Sequence, residues 1–130
     1  MEMSLALEGK RGFKTVVRGN EIMTDLPLEQ GGEDKAPTPT ELFIASLGAC
    51  IGIYVTSYMR TAKLNAEGLN INMDWQFDSD KKKIADIKVS VSIPDVDLGG
   101  REKAVLAAAE RCLIHNTLRE HPNIEIGINT

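Results

Sequence analysis

The sequence lacks a targeting segment and a run that would obviously cross a bilayer. Its N-terminus, "MEMSLALEGK", has no long apolar core. The apolar stretch at residues 42 to 55 is shorter than the about 20 residues a membrane span needs. A cytoplasmic protein is the expectation. Positive charge is also in short supply: 15 Lys and Arg against 19 Asp and Glu leave a net charge of -4. That balance provides no electrostatic reason for nucleic acid or an anionic membrane as partner. The one basic run, Lys81-Lys82-Lys83, reads as a solvated hairpin tip. Cysteine is scarce as well, with two in 130 residues. Two are too few for a secreted disulfide framework, and in a reducing compartment they are either unrelated core thiols or a redox couple. GxGxxG, P-loop and nucleophile-elbow motifs are missing. Without an internal repeat or a linker, residues 1–130 read as one domain.

What is present alternates between strand and helix signals. Met3, Leu5 and Leu7 share one face of an expected strand, and "EGKRGF" follows as a turn with glycines at 9 and 12. Phe13 to Val17 and Glu21 to Thr24 read as two short strands joined at Gly19-Asn20. "LEQGGEDKAP" is a polar, glycine-bearing loop. Thr38-Pro39-Thr40-Glu41 then combines an N-cap residue, a proline at the first helical position and a glutamate at the third, which is a capping box. The helix it opens is apolar on nearly every side through Tyr58, which predicts burial all round. Gly48 and Gly52 lie on one face of it and predict close approach of another backbone.

Leu69, Ile71, Met73, Trp75 and Phe77 alternate with polar residues, as do Ile87, Val89, Val91 and Ile93, and "DSDKKK" lies between the two runs. The pattern is an antiparallel hairpin with one packed face. A second helix is expected from about Arg101 through Leu118, and Ile124, Ile126 and Ile128 predict a short C-terminal strand after Pro122. The order strands, helix, hairpin, helix, strand is α+β with antiparallel sheet.

Cys50 lies about three turns into the first helix and Cys112 late in the second. Cysteine is among the most buried residue types, so either one alone reads as packing. If two packed helices bring them together, a thiolate could attack an electron-poor oxygen and the second thiol could close a disulfide on the resulting sulfenic acid. The attacking thiol has an ordinary pKa of about 8.5 and would need a donor such as Arg11 or Arg18 to ionise it. A zinc site from Cys112, His115, His121 and Cys50 is conceivable, but the spacings match no ordinary zinc pattern and no metal or other cofactor is expected.

"DKAPTPTELFIASLGACIGI", followed some sixty residues later by "AAERCLIHNTL", resembles the OsmC/Ohr family of osmotically inducible and organic hydroperoxide resistance proteins. The order of elements matches over the whole chain, closest to a less characterised OsmC-like branch. The resemblance implies an OsmC-like fold with two central helices in an intertwined homodimer. It also implies a cytoplasmic peroxidase of the oxidative stress response, reducing organic hydroperoxides to alcohols and re-reduced by a dithiol such as a lipoyl protein. In that pattern Cys50 is the peroxidatic cysteine, Cys112 the resolving one, Arg11 the guanidinium and Glu41 the carboxylate. Two positions depart from it: Thr40 stands directly after the proline, with Glu41 one later, and Leu113 follows the second cysteine in place of proline. The competing reading is a non-enzymatic protein of this fold, binding a small apolar or thiol ligand or sensing redox state.

Overall fold

The computed structural model describes residues 1–130, and the chain divides into two compact units, Met1–Ala45 and Ser46–Thr130. The first unit is built on an antiparallel meander of β1 (Ala6–Glu8), β2 (Gly12–Val17) and β3 (Asn20–Thr24), in that order across the sheet. Val17 pairs with Asn20, so the hairpin turn is Arg18-Gly19, one residue earlier than the sequence suggested. Both turn residues have positive φ, 51° and 79°, as the reversed two-residue turn requires to match strand twist. The expected N-terminal strand is short: Ala6, Leu7 and Glu8 pair, whereas Met3 and Leu5 stand outside the ladder and exposed.

The loop after β3 is organised by Asp25, which the sequence reading passed over. Its side chain is 2% exposed and accepts backbone N–H bonds from Leu26 at 2.8 Å and from Glu33 and Lys35 at 3.2 Å. A short 3-10 turn, Leu28–Gln30, closes inside this loop. Gly32 presses against the backbone of Leu26 so tightly that a Cβ would overlap its carbonyl. The bond from Leu26, then those from Lys35 and Glu33, outweigh burial and hold the Asp25 carboxyl below its ordinary value. A carboxylate lowered by folding stabilises the fold above its unfolded pKa, and that contribution disappears as pH falls through the folded value. Asp25→Asn should therefore melt earlier than the parent at pH 7. Its thermal midpoint should also fall less steeply on acidification below about pH 4. Parallel slopes for the two proteins would remove Asp25 from this role.

Helix α1 (Pro39–Thr61) starts with the capping box read from the sequence. Thr38 N–H donates to the Glu41 carboxylate at 3.0 Å, and Glu41 N–H donates to Thr38 Oγ1 at 3.2 Å. At 23 residues the helix extends well beyond the apolar run at residues 42 to 55 and is long and apolar enough, by length and composition, to cross a membrane. A core helix can have the same properties. In the second unit one stripe of α1, Leu47, Ile51, Val55 and Met59, is buried in the main hydrophobic cluster. The helix is not buried all round: Ile53 is 63% exposed.

Strands β4 (Asn70–Asp78) and β5 (Lys83–Ser92) form the antiparallel hairpin. Gly48 and Gly52 of α1 face β4, but its side chains approach rather than its backbone. A Cβ at Gly48 would lie 3.2 Å from Met73 Sδ, and one at Gly52 3.5 Å from Ile71 Cγ1. A bulge follows Gln76, so that Phe77 pairs with Ile84 while Gln76 pairs with Asp86. Ala85 is the extra residue. It lets Ile84 oppose Phe77 although it is out of phase with Ile87, Val89 and Val91.

The expected second helix is broken. Helix α2 covers Glu102–Glu110 and α3 covers Leu113–Arg119, and Cys112 (φ -50°, ψ 127°) leaves the helical region between them. Neither glycine nor proline marks the break. The expected C-terminal strand does not form in this chain: residues 121–130 have no regular structure. A strand exists only where a neighbouring edge receives its backbone bonds, and the tail meets none here.

Candidate active site

Cys112 ends up at the break because a cysteine can serve both helices there. Its backbone carbonyl accepts the Asn116 N–H at 2.9 Å. Its Sγ accepts the His115 N–H at 3.5 Å, so the thiol is the N-cap of α3. The side chain is completely buried, packed with Leu47, Ile51, Val55 and Ala109. Cys50, half-buried on α1, packs against that same cluster. The structure therefore brings the two cysteines together, both as free thiols, with their side chains in hydrogen-bond contact.

The two sulfurs are electrostatically unequal. Burial pushes the Cys50 thiol up. Hydrogen bonds from Cys112 and from the backbone N–H groups of Ile114 and Leu113 outweigh that and bring it below the ordinary thiol value. The Cys112 thiol moves upward, chiefly through burial and then through its bond to Cys50, against the lowering pull of the His115 and Ile114 amides. Of the two, Cys50 is therefore the sulfur readier to become a thiolate, and Cys112 is the one that holds its proton more firmly. Thiolate, not thiol, is the nucleophilic form.

Arg11 and Glu41 have partners within residues 1–45, and Arg18 lies in the same unit. Arg11 Nη1 donates to the Gln30 carbonyl at 3.1 Å, and its stem passes over Gly31. Arg18 occupies the exposed tip of the β2–β3 hairpin. Glu41 is held in the capping box. The donors that do meet Cys50, the amides of Leu113 and Ile114, were invisible in the sequence, because their role depends on an unannounced helix break. Within the second unit, a thiol and two backbone amides favour the Cys50 thiolate.

An apolar cavity of about 150 Å³ lies between α1, β5 and α2, and neither cysteine lines it. Leu47 and Ile51 of α1, Val89 and Val91 of β5, and Leu106 and Ala109 of α2 line it, with Glu110 and His115 as the polar residues. Leu47 and Ile51 flank Cys50 along α1, and Ala109 and His115 flank Cys112.

Comparison with known proteins agrees with this fold. The family described as OsmC-like protein matches residues 32–127. An uncharacterised protein of Methanocaldococcus jannaschii is 27% identical over 120 residues, covering 91% of this chain; the chain spans 59% of that relative's length. A solved structure from Psychrobacter arcticus, ascribed to the osmotic stress and detoxification response, superposes with a TM-score of 0.80 at 18% identity, covering 88% of this chain and 85% of the other. An organic hydroperoxide resistance protein OsmC from Legionella pneumophila gives a TM-score of 0.65 at 21% identity, covering 92% and 90%. At these identities the solved structures establish the fold.

Proposed function

The chain belongs to the OsmC-like protein family, and on that premise we propose that it is a thiol-dependent peroxidase reducing organic hydroperoxides to alcohols. The observation that carries this reading is the pairing of Cys50 and Cys112 at one cluster as free thiols, with Cys50 favoured as the thiolate and Cys112 as the proton holder. The Cys50 thiolate attacks the outer peroxide oxygen and the O–O bond breaks. Cys50 is oxidised to sulfenic acid and an alkoxide departs. The proton on Cys112 passes to that alkoxide, releasing the alcohol and leaving Cys112 as a thiolate. Cys112 then attacks the Cys50 sulfur, a disulfide forms, and hydroxide leaves to be protonated as water. An external dithiol, such as a lipoyl protein, reduces the disulfide and is itself oxidised. The working form is a homodimer, as in the resemblance read from the sequence.

The apolar cavity whose walls include Leu47, Ile51 and Ala109, residues of the cluster that holds Cys112, supplies selectivity. A cavity of about this size with apolar walls accepts a benzene-sized group, so an aryl or branched alkyl hydroperoxide is favoured over hydrogen peroxide. In this reading Arg11 and Glu41 hold the peroxide. To do so, Arg11 must release the Gln30 carbonyl and Glu41 must release the cap, at a cost of about 1 kcal/mol for a capping interaction. The commitment of Glu41 to the cap is the observation that favours the second reading, a binding protein of the same fold whose thiols are inert or sensing. Steady-state turnover with a dithiol reductant separates the two. The peroxidase should have a kcat/KM for cumene hydroperoxide at least about tenfold above that for hydrogen peroxide, the discrimination an apolar pocket can provide. Absence of turnover with either peroxide would favour the binder.

A further inference from the structure

The chemistry above uses His115 only through its backbone. Its N–H donates to Cys112 Sγ at 3.5 Å, while its half-buried side chain lines the apolar cavity between α1, β5 and α2. Both sulfurs lie at the start of α3. Cys50 accepts from the amides of Leu113 and Ile114, and Cys112 from those of Ile114 and His115. Side chains on a helix lean towards its N-terminus, so a histidine on the first turn of α3 leans towards the end that holds both sulfurs. His115 thus belongs at once to the cavity wall and to the turn that carries the cysteine pair.

The proposed cycle leaves one proton unassigned. The alkoxide of the first step takes the proton of Cys112. Disulfide formation then expels hydroxide from the Cys50 sulfur, and hydroxide leaves poorly unless it is protonated as the S–O bond breaks. A proton delivered in such a transition state is worth about 10²–10⁴ in rate. The cavity lining narrows the choice of donor. From α1 and β5 it receives only aliphatic side chains, and its two polar residues are Glu110, at the end of α2, and His115. An ionised glutamate only accepts hydrogen bonds, whereas a histidine takes up and gives back a proton near neutral pH.

We propose that His115 is the general acid of disulfide closure: its imidazolium protonates the hydroxide that leaves Cys50 as the Cys112 thiolate attacks. The S–S bond forms, the S–O bond breaks, and the expelled oxygen departs as water. The imidazole is left neutral and takes a fresh proton from solvent. Cys112 is oxidised as the Cys50 sulfur is reduced, so no outside oxidant or reductant enters the step. The inference rests on the Cys50–Cys112 cycle proposed above and adds a residue to its second step.

Single-turnover oxidation by one equivalent of cumene hydroperoxide, acid-quenched at intervals and read by intact mass, separates sulfenic acid from disulfide. His115→Ala and His115→Asn both keep the backbone N–H that bonds Cys112, so the cap of α3 survives in each. Formation of sulfenic acid should be nearly unchanged in both variants, while disulfide closure should slow at least about 100-fold, the scale of a lost general acid. Added imidazole should restore closure in His115→Ala. Pyrazole, a ring of the same shape that is unprotonated at neutral pH, should not. A purely structural role would slow both steps alike or be rescued by either ring, and each of those results would overturn the inference. Closure at the parent's rate in both variants would overturn it too, with the peroxidase reading left standing. A parent that forms neither sulfenic acid nor disulfide would overturn that reading itself, and the inference with it.

Discussion

Cys50→Ser should lose hydroperoxide turnover by at least about a thousandfold, on the scale of losses when a covalent nucleophile is removed, and should still fold. A serine hydroxyl is not ionised near neutral pH, cannot pass through a sulfenic acid, and gains little from the amides of Leu113 and Ile114 that favour an anion. The substitution is nearly isosteric at a half-buried position, so its thermal midpoint should stay within a few degrees of the parent's. Cys112→Ala should behave differently. Its Cys50 should still be oxidised by one equivalent of peroxide, trapped as a sulfenic acid adduct, with no disulfide formed. Full turnover in Cys50→Ser would assign the nucleophile elsewhere. Turnover in Cys112→Ala equal to the parent's would remove Cys112 from the cycle.

The largest effect on stability should come from Met59→Ala. Met59 is 0% exposed and lies at the end of the buried stripe of α1, in the cluster with Val55, Val105 and Cys112. Truncating a side chain of that size in a packed core costs about 2–5 kcal/mol, part from lost transfer free energy and part from the cavity left behind. Urea denaturation measures it directly. Ile53→Ala, on the exposed face of the same helix, should change stability by no more than about 0.5 kcal/mol. Equal losses at the two positions would mean that another molecule covers Ile53, or that the stripe at 47, 51, 55 and 59 does not form the core.

The features legible in the sequence were those fixed by local chemistry. The capping box at Thr38–Glu41, the β4–β5 alternation and the polar turn between those strands depend on neighbours a few residues apart, and each appears where expected. Features that depend on distant partners were not legible. The break at Cys112 arises because its thiol caps α3 and contacts Cys50, which no run of neighbouring residues reveals. Ile53 looked like core because composition along a helix does not say which side meets protein. Ile124, Ile126 and Ile128 were correctly seen as a pattern, but a strand also needs an edge, and this chain provides them with none. Within the site, the cysteine pairing was anticipated as a possibility. The donors that tune it, the Leu113 and Ile114 amides, could not be, because every residue has an N–H and only the fold decides which ones point at a sulfur.

The central claim is that Cys50 and Cys112 form one redox unit. Peptide mapping of the protein after one equivalent of cumene hydroperoxide, under non-reducing conditions, tests it most directly. The account predicts loss of two thiols per chain within seconds and a single linked peptide joining Cys50 to Cys112 of the same chain. Two free thiols after that exposure, or a linkage of either cysteine to another chain, would contradict it.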